Sequence, residues 1–530
     1  MKKSLIACGL AWGLVVMPGW AQTAAQRVPV TQFAVSGNSL LAQADIDAVL
    51  ARYKGERTLA ELKQAAQAVQ DLYRAAGYGA VVAYLPEQAV RGGQVSIAVL
   101  EGRIERVVVV GAERTSIEQM RAMLPQLKEG TTPQLRALDA EIQFANENPA
   151  RQVAVVLEAG QRAGAVDARI AVTEKPLTAW TLAVDNTGTP QTGEGRVSVG
   201  WRHASLWGRD HQLSLQYQTS IEKPSQVSIA SANYSVPFYG AGLRVDVYAA
   251  RSDVDGGTTP TAAGALQFIG RGNVLGLRAS KQLRRWGEFD QRFSVSADQR
   301  EYLNDCSIAG LPPGACGVAG ESVAVSPLTL EYTMQRGGEH ALGFNLALAR
   351  NLDRGGRHAA PANFDAVRAG AKPGFTALRW SAFLQRPLQA LGDWRIGLRL
   401  AGQLTSDALV PGEQFGVAGA TVVRGYRERE VVGDSAVVAS AELLGAERTW
   451  FGLAWRPVLF VDAARAWNQL DTPCLGNQSR CTLASAGVGL RSAPGGPWQL
   501  RADVAVALKE GTRTERNHAR LHLAASYTFE

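Results

Sequence analysis

From Leu177 to Glu530 apolar and polar residues alternate with a period of two, and the helical spacing of the preceding residues is gone. Trp180, Leu182 and Val184 alternate with polar or small residues before the turn "DNTG". Val197, Val199 and Trp201 repeat the pattern, as do Leu213, Leu215 and Tyr217. Leu243, Val245 and Val247 alternate with Arg244 and Asp246; Phe293 and Val295 alternate with Arg292 and Ser294. A period of two sends successive side chains to opposite faces, so each segment reads as a strand with one apolar and one polar face. Such strands build either a soluble sandwich or a membrane barrel. The stretch holds 354 residues, too many for one common sandwich, and many of its apolar positions are aromatic. Lipid leaves no water for an open sheet edge, so strands within it have to close into a cylinder. At about 22 residues for each strand with its turn or loop, about 16 antiparallel strands fit.

The N-terminus supplies the third reason for a barrel. "MKKSLIACGLAWGLVVMPGWAQ" has Lys2 and Lys3, an apolar stretch from Leu5 to Val16, and the small residues Gly19 and Ala21. This is the pattern of a secretory signal peptide, residues 1–21, cleaved after Ala21 and too short to span a bilayer. The rival reading, a lipoprotein acylated at Cys8, has only a few apolar residues before the cysteine. No later run of about 18 apolar residues suggests a spanning helix. Charged residues make up 19% of the chain, below the roughly 25% of soluble globular proteins. The net charge of +7 comes with no run of five basic residues, so a nucleic-acid partner is not expected. In an oxidising compartment Cys306 with Cys316, and Cys474 with Cys481, read as two small disulfide loops. Zinc fits poorly, because no CxxC spacing or histidine lies near them.

No enzyme is expected. The chain has no "GK" dipeptide and hence no Walker loop, and no HExxH; "GDSAV" at Gly433 lacks the last glycine of a hydrolase elbow. Neither a metal nor a cofactor is expected.

Residues 27–176 read differently. "RVPVTQFAV" is a strand, "ADIDAVLARY" a short helix, and a second helix starts at Thr58 with Glu61 completing a capping box. Leu59, Leu62, Ala66, Val69 and Tyr73 give that helix one apolar face. "AVVAYL" and "QVSIAVL" follow as strands. About 75 residues later the order recurs: "RIERVVVVG", "SIEQMRAML", a helix from Thr132-Pro133, then "RQVAVVLEA" and "AVDARIAV". Two small α+β units follow, 22–101 and 102–176. Their order resembles the POTRA domain of outer-membrane assembly and secretion proteins. A module of this kind leaves a sheet edge free to accept an extended partner segment; a rigid spacer is the alternative.

"VVRGYREREVVGDS" stands out within the alternating region. Val423, Arg424, Gly425 and Tyr426 resemble the sixth-loop motif of the barrel superfamily that contains the two-partner secretion outer-membrane transporters. In that family the loop, here around 415–433, folds into the barrel lumen, and its arginine meets an acidic residue of an inner strand in a Phe-x-Asp-x-Gly motif. "FVDAARAW" places Phe460 and Asp462 accordingly, with Ala464 where glycine is usual. Asp462 alternates with Val461 and Ala463, so it points into the lumen while they face lipid. Arg424 offers a forked contact to its carboxylate, and Gly425 permits unusual backbone geometry.

The resemblance implies a barrel in the outer membrane at 177–530, with the POTRA-like units in the periplasm. It implies a translocator that exports one large exoprotein, of adhesin or hemolysin type, without nucleotide hydrolysis. The POTRA-like units would bind that partner, and lipid would surround the barrel. Barrel-assembly machinery would read the terminal strand, where Tyr527 and the penultimate Phe529 share a face with Leu521, Leu523 and Ala525. An insertase of the same superfamily is the alternative, against which two repeats argue; a solute channel would leave the repeats superfluous. The first repeat begins about six residues after the expected cleavage site, so no plug helix of the kind some members carry is expected.

Overall fold

A computed structural model describes residues 27–162, 164–253, 257–261, 264–268, 271–304, 321–493 and 495–530. The leader at 1–21 with Cys8, and the Cys306 and Cys316 pair, lie outside the described residues. The described residues form two compact units, one within 27–104 and 159–166, the other within 105–158 and 167–530.

In the first unit the strands Gln32–Ser36, Gln94–Glu101 and Val81–Tyr84 form a sheet in that order, the first pair parallel and the second antiparallel. Helix Leu59–Ala75 buries Leu62, Ala66, Val69 and Tyr73 in one cluster with Val81, Val95 and Ile97 of this sheet. The capping box is formed: Glu61 N donates to Thr58 Oγ1, and Thr58 N donates to Glu61 Oε2 at 2.7 Å. "RVPVTQFAV" is not one strand. It breaks at Thr31, whose N–H donates to Gly93 O, and Arg27–Val30 pairs instead with Gly55–Thr58. The sequence reading did not foresee that second strand, which starts at Gly55 with φ +98°.

The second repeat stacks Arg103–Val110, Ala165–Glu174 and Arg151–Ala159 in that order, with helices Ile117–Met123 and Leu135–Asn146. The longer helix starts later than Thr132-Pro133. Gln134 is its N-cap, accepting from Ala137 N at 2.7 Å. Ser116 and Gln119 close a capping box on the shorter helix.

The barrel is closed and antiparallel. Among the described residues it has eighteen strand segments, of which Val323–Val325 and Pro327–Arg336 share the neighbour Phe289–Leu303, and Ser435–Leu444 and Arg448–Trp450 share Leu453–Trp467. Counting each pair as one interrupted strand leaves sixteen. Closure comes from the last strand, Ala519–Phe529, pairing with the first, Thr178–Asp185. Among the described residues no helix is long and apolar enough to cross a membrane. The strands carry the apolar surface: Leu182, Val247, Leu277, Leu400, Val461 and Leu523 point outward and are exposed. Exposed aromatics gather at the rim where the chain enters, the near rim: Trp207, Phe238, Trp286, Phe451, Trp498 and Phe529. Aromatic side chains settle at the boundary between hydrocarbon and headgroups, so this ring marks a membrane interface.

The second repeat is tied to near-rim turns. Arg151 makes a buried bidentate pair with Asp210, at 2.8 and 2.6 Å, and donates to Tyr239 Oη at 2.6 Å. Glu147 holds Arg244 and Arg292, and Asp139 holds Arg285 at 3.1 Å.

Candidate functional site: a loop locked inside the barrel

Residues 405–434 join strands Arg395–Leu404 and Ser435–Leu444 at the far rim and fold back into the lumen. The loop's Val417, Ala418, Val423, Tyr426 and Val431 share a buried cluster with Ala436, Val438, Ala464, Ala466 and Leu483 of the wall. Ala464, the departure from the family motif, thus places its methyl group in this cluster.

Arg424 is 4% exposed and Asp462 2%. The guanidinium is bidentate on the carboxylate, with Nε 2.8 Å from Oδ2 and Nη2 2.8 Å from Oδ1. Arg424 N also donates to Oδ2 at 3.1 Å, so backbone and side chain grip the same group. Nη1 donates to Glu442 Oε1 at 2.6 Å and lies 3.7 Å from Asp503 Oδ2. Ser440 Oγ donates to Asp462 Oδ1 at 2.7 Å. Ser440 and Glu442 reach the site because register sets them opposite Asp462 and Phe460. The guanidinium carbon sits 3.4 Å from the centre of the Phe460 ring, a cation–π contact in a desolvated place. Room for that ring comes from Gly487, where a Cβ would lie 2.4 Å from Phe460 Cζ. Gly425 adopts φ +91°, and its N–H donates to His522 Nε2 at 2.9 Å. Tyr426 is fully buried, its hydroxyl 2.8 Å from the carbonyl oxygens of Ala484 and Lys509.

Two further anchors hold the loop's ends. Glu413, near its start, pairs with Arg300 at 3.0 Å and Arg379 at 2.8 Å and accepts from Tyr302 Oη at 2.9 Å. Asp434, at its exit, is bidentate with Arg368 and accepts from Leu409 N at 3.1 Å and Gln469 N at 2.8 Å. "GDS", which falls short of a hydrolase elbow, is therefore a structural anchor. Sequence reasoning missed Glu413, Asp434, Glu442, Asp503 and His522. "PGEQFG" carries one usable sign, a lone carboxylate beside a Pro-Gly turn just ahead of the loop around 415–433.

The remaining candidate residues lie elsewhere. Tyr527 and Phe529 sit on the outer face of the closing strand, their rings 4.5 Å apart, and Phe529 pairs opposite Trp180. Cys474, in the far-rim loop, forms a disulfide with Cys481, the second residue of strand Arg480–Ser492. Among the described residues no group of three or more His, Cys, Asp or Glu side chains is placed to hold a metal ion.

A closed sixteen-strand barrel with a lumen-locked loop, preceded by small α+β units, defines an outer-membrane β-barrel of the POTRA-bearing class. The description of the haemolysin secretion/activation proteins ShlB/FhaC/HecB matches residues 164–492, and that of the ShlB-type POTRA domain matches 28–102. The chain belongs to this family, whose members are outer-membrane barrel transporters with periplasmic POTRA domains. It is 29% identical to the outer membrane transporter CdiB of Escherichia coli O6:K15:H31 (strain 536 / UPEC), over 32% of this chain and 29% of that one. It is 25% identical to the heme/hemopexin transporter protein HuxB of Haemophilus influenzae, over 42% of this chain and 40% of that one. These matches span well under half of the relatives' own length. The solved structure of CdiB from Escherichia coli superposes with a TM-score of 0.79 at 20% identity, covering 97% of this chain and 93% of that one. That similarity establishes the fold.

Proposed function

We propose that this chain exports one large exoprotein, of adhesin or hemolysin type, from the periplasm to the cell surface as the transporter of a two-partner secretion pair. The observation that carries the reading is the loop at 405–434, held in the lumen by Arg424 on Asp462. A permanently open solute pore has no use for such a plug, and a dedicated exporter needs one that can yield to its cargo. In this reading 22–101 and 102–176 are capture modules and 177–530 is the pore. Strand Val81–Tyr84 ends its sheet, with Val82 50% and Tyr84 47% exposed, and an extended segment of the exoprotein can add there by backbone pairing. No nucleotide is hydrolysed; folding of the cargo outside keeps it from slipping back. Barrel-assembly machinery reads Tyr527 and Phe529 during insertion.

The test compares culture supernatant and outer-membrane proteome with and without the gene. Loss of one large protein from the supernatant, with other barrels unchanged, is expected. Broad depletion of barrels would make the chain an insertase instead.

A further inference from the structure

We propose that the exported polypeptide runs along one particular arc of the lumen wall, made by strands Ala519–Phe529, Thr178–Asp185, Arg196–Leu206, His211–Ser220 and Ser228–Phe238. The proposal rests on the translocator reading above and assigns its path.

Cross-strand register lays out the lumen-facing side chains of this arc in rows. One row runs Thr528, Thr181, Gly200, Gln216 and Ser231. The row on its far-rim side runs Ser526, Ala183, Ser198, Gln218 and Ile229. On its near-rim side Ala179, Arg202, Ser214 and Asn233 follow. Of these fourteen side chains only Arg202 is charged, and most are small and polar; the same strands turn Asp185, Arg196 and His522 to the lumen only further towards the far rim. Thr181, Ser198, Ser214, Gln216, Ser526 and Thr528 line an open cavity inside the barrel.

The rest of the wall, beginning at the adjacent strand Trp498–Ala507, has the contrary character. Arg300, Arg379, Asp462, Arg491 and Asp503 project from it, and it grips the plugging loop through Glu413 and Arg424. Hydrogen bonds with an ionised partner are roughly twice as strong as neutral ones, so a charged wall detains whatever matches it. An extended chain in transit exposes backbone N–H and C=O groups at every residue, and these need partners that let go. Hydroxyl and amide side chains supply such exchangeable partners, while short side chains leave width. The arc also offers unused capacity. Among the described residues no hydrogen-bond partner reaches the buried Asn233 Oδ1, Ser235 Oγ or Arg202 Nε, whereas buried polar atoms are normally satisfied.

Two lumen-facing glycines allow a matched test. A Cβ at Gly200, on the neutral arc, meets nothing closer than 3.8 Å, and one at Gly397, on the charged arc, nothing closer than 3.4 Å. Both positions therefore accept a side chain without backbone strain. Gly200→Trp should lose export of the protein that the wild type releases into the medium, with Gly200→Ala exporting normally and Gly397→Trp close to wild type. Heat-modifiable migration checks that each barrel is folded. Should Gly200→Trp fail to fold, Gly200→Cys and Gly397→Cys replace the pair, with export measured before and after a bulky maleimide. Normal export with Gly200 enlarged, or equal loss from both positions, overturns the path. A wild-type strain that releases no protein dependent on this gene overturns the translocator reading itself, which is a different result.

Discussion

At the scale of single residues, the loop lock is an electrostatic balance around one guanidinium. Arg424 faces Asp462, Glu442 and Asp503, carboxylates from three different strands. Removing one partner of a buried pair leaves an uncompensated charge and costs about 3–5 kcal/mol, far above the 1 kcal/mol or so of an exposed bridge. That cost falls on the loop rather than on the backbone ladder of the wall. Arg424→Ala and Asp462→Ala should each impair export while leaving a heat-modifiable barrel, and the double variant should lose less than the sum of the two. Wild-type export by both single variants would remove the pairing from the mechanism. Arg424 and Asp462 were legible because each sits in a short motif whose order matches a known family. Glu442, Ser440 and His522 were not, because they are brought in by register: Ser440 stands opposite Asp462, and His522 opposite Asp503. Alternation tells which face a side chain occupies, but no local pattern tells which neighbour it meets. Glu413 was hidden for a related reason, since Arg300 and Arg379 lie 113 and 34 residues away.

At the scale of elements, helices with strong ends were readable and strands made by long-range pairing were not. Helix Leu59–Ala75 combines an apolar stripe with a reciprocal cap, two local signals that agree. Replacing Thr58 with Ala should cost about 1 kcal/mol at that helix, seen as faster amide exchange over residues 59–75 in the full chain; unchanged exchange would mean the cap is redundant. Gly55–Thr58 was missed because four residues carry almost no periodicity, and its strand character comes from Arg27–Val30. Thr132-Pro133 looked like a helix start on composition, yet Gln134 takes the role with its own side chain. Helix Leu135–Asn146 also carries a pH response. Burial lifts Glu141 from its ordinary 4.5 to about 7, against a hydrogen bond from Gln126 N. The folded state then holds this proton more tightly than the unfolded one, so stability from it is present in acid and falls as pH rises from 4.5 towards about 7. Glu141→Gln should stabilise the second repeat at pH values above that window and give no gain below it, read by urea unfolding at both ends. An equal gain at both would assign the effect to packing rather than charge.

At the scale of the whole molecule, closure was legible from period and length, because lipid admits no other arrangement of such strands. What a closed wall does not announce is how force reaches it. Residues 105–158 and 167–176 of the second repeat belong to the same compact unit as the barrel, and the joint is Arg151 on Asp210 with Tyr239 and Asn148 around them. Asp210 sits in a near-rim turn at φ +60°, a conformation the neighbouring contacts have to hold in place. A cargo drawn through the barrel would pull against whatever fixes the repeat to the rim. If that joint is the fixed point, Arg151→Ala leaves Asp210 buried with only Asn148 and Tyr239 as donors. The penalty, again about 3–5 kcal/mol, is confined to the joint. The barrel should stay heat-modifiable, amide exchange should rise over the turns at 207–210 and 239–242, and export should fall. Faster exchange with undiminished export would show that the repeat need not be fixed for transport. Unchanged exchange would show that Glu147 and Asp139, through Arg244, Arg292 and Arg285, hold the joint without Arg151.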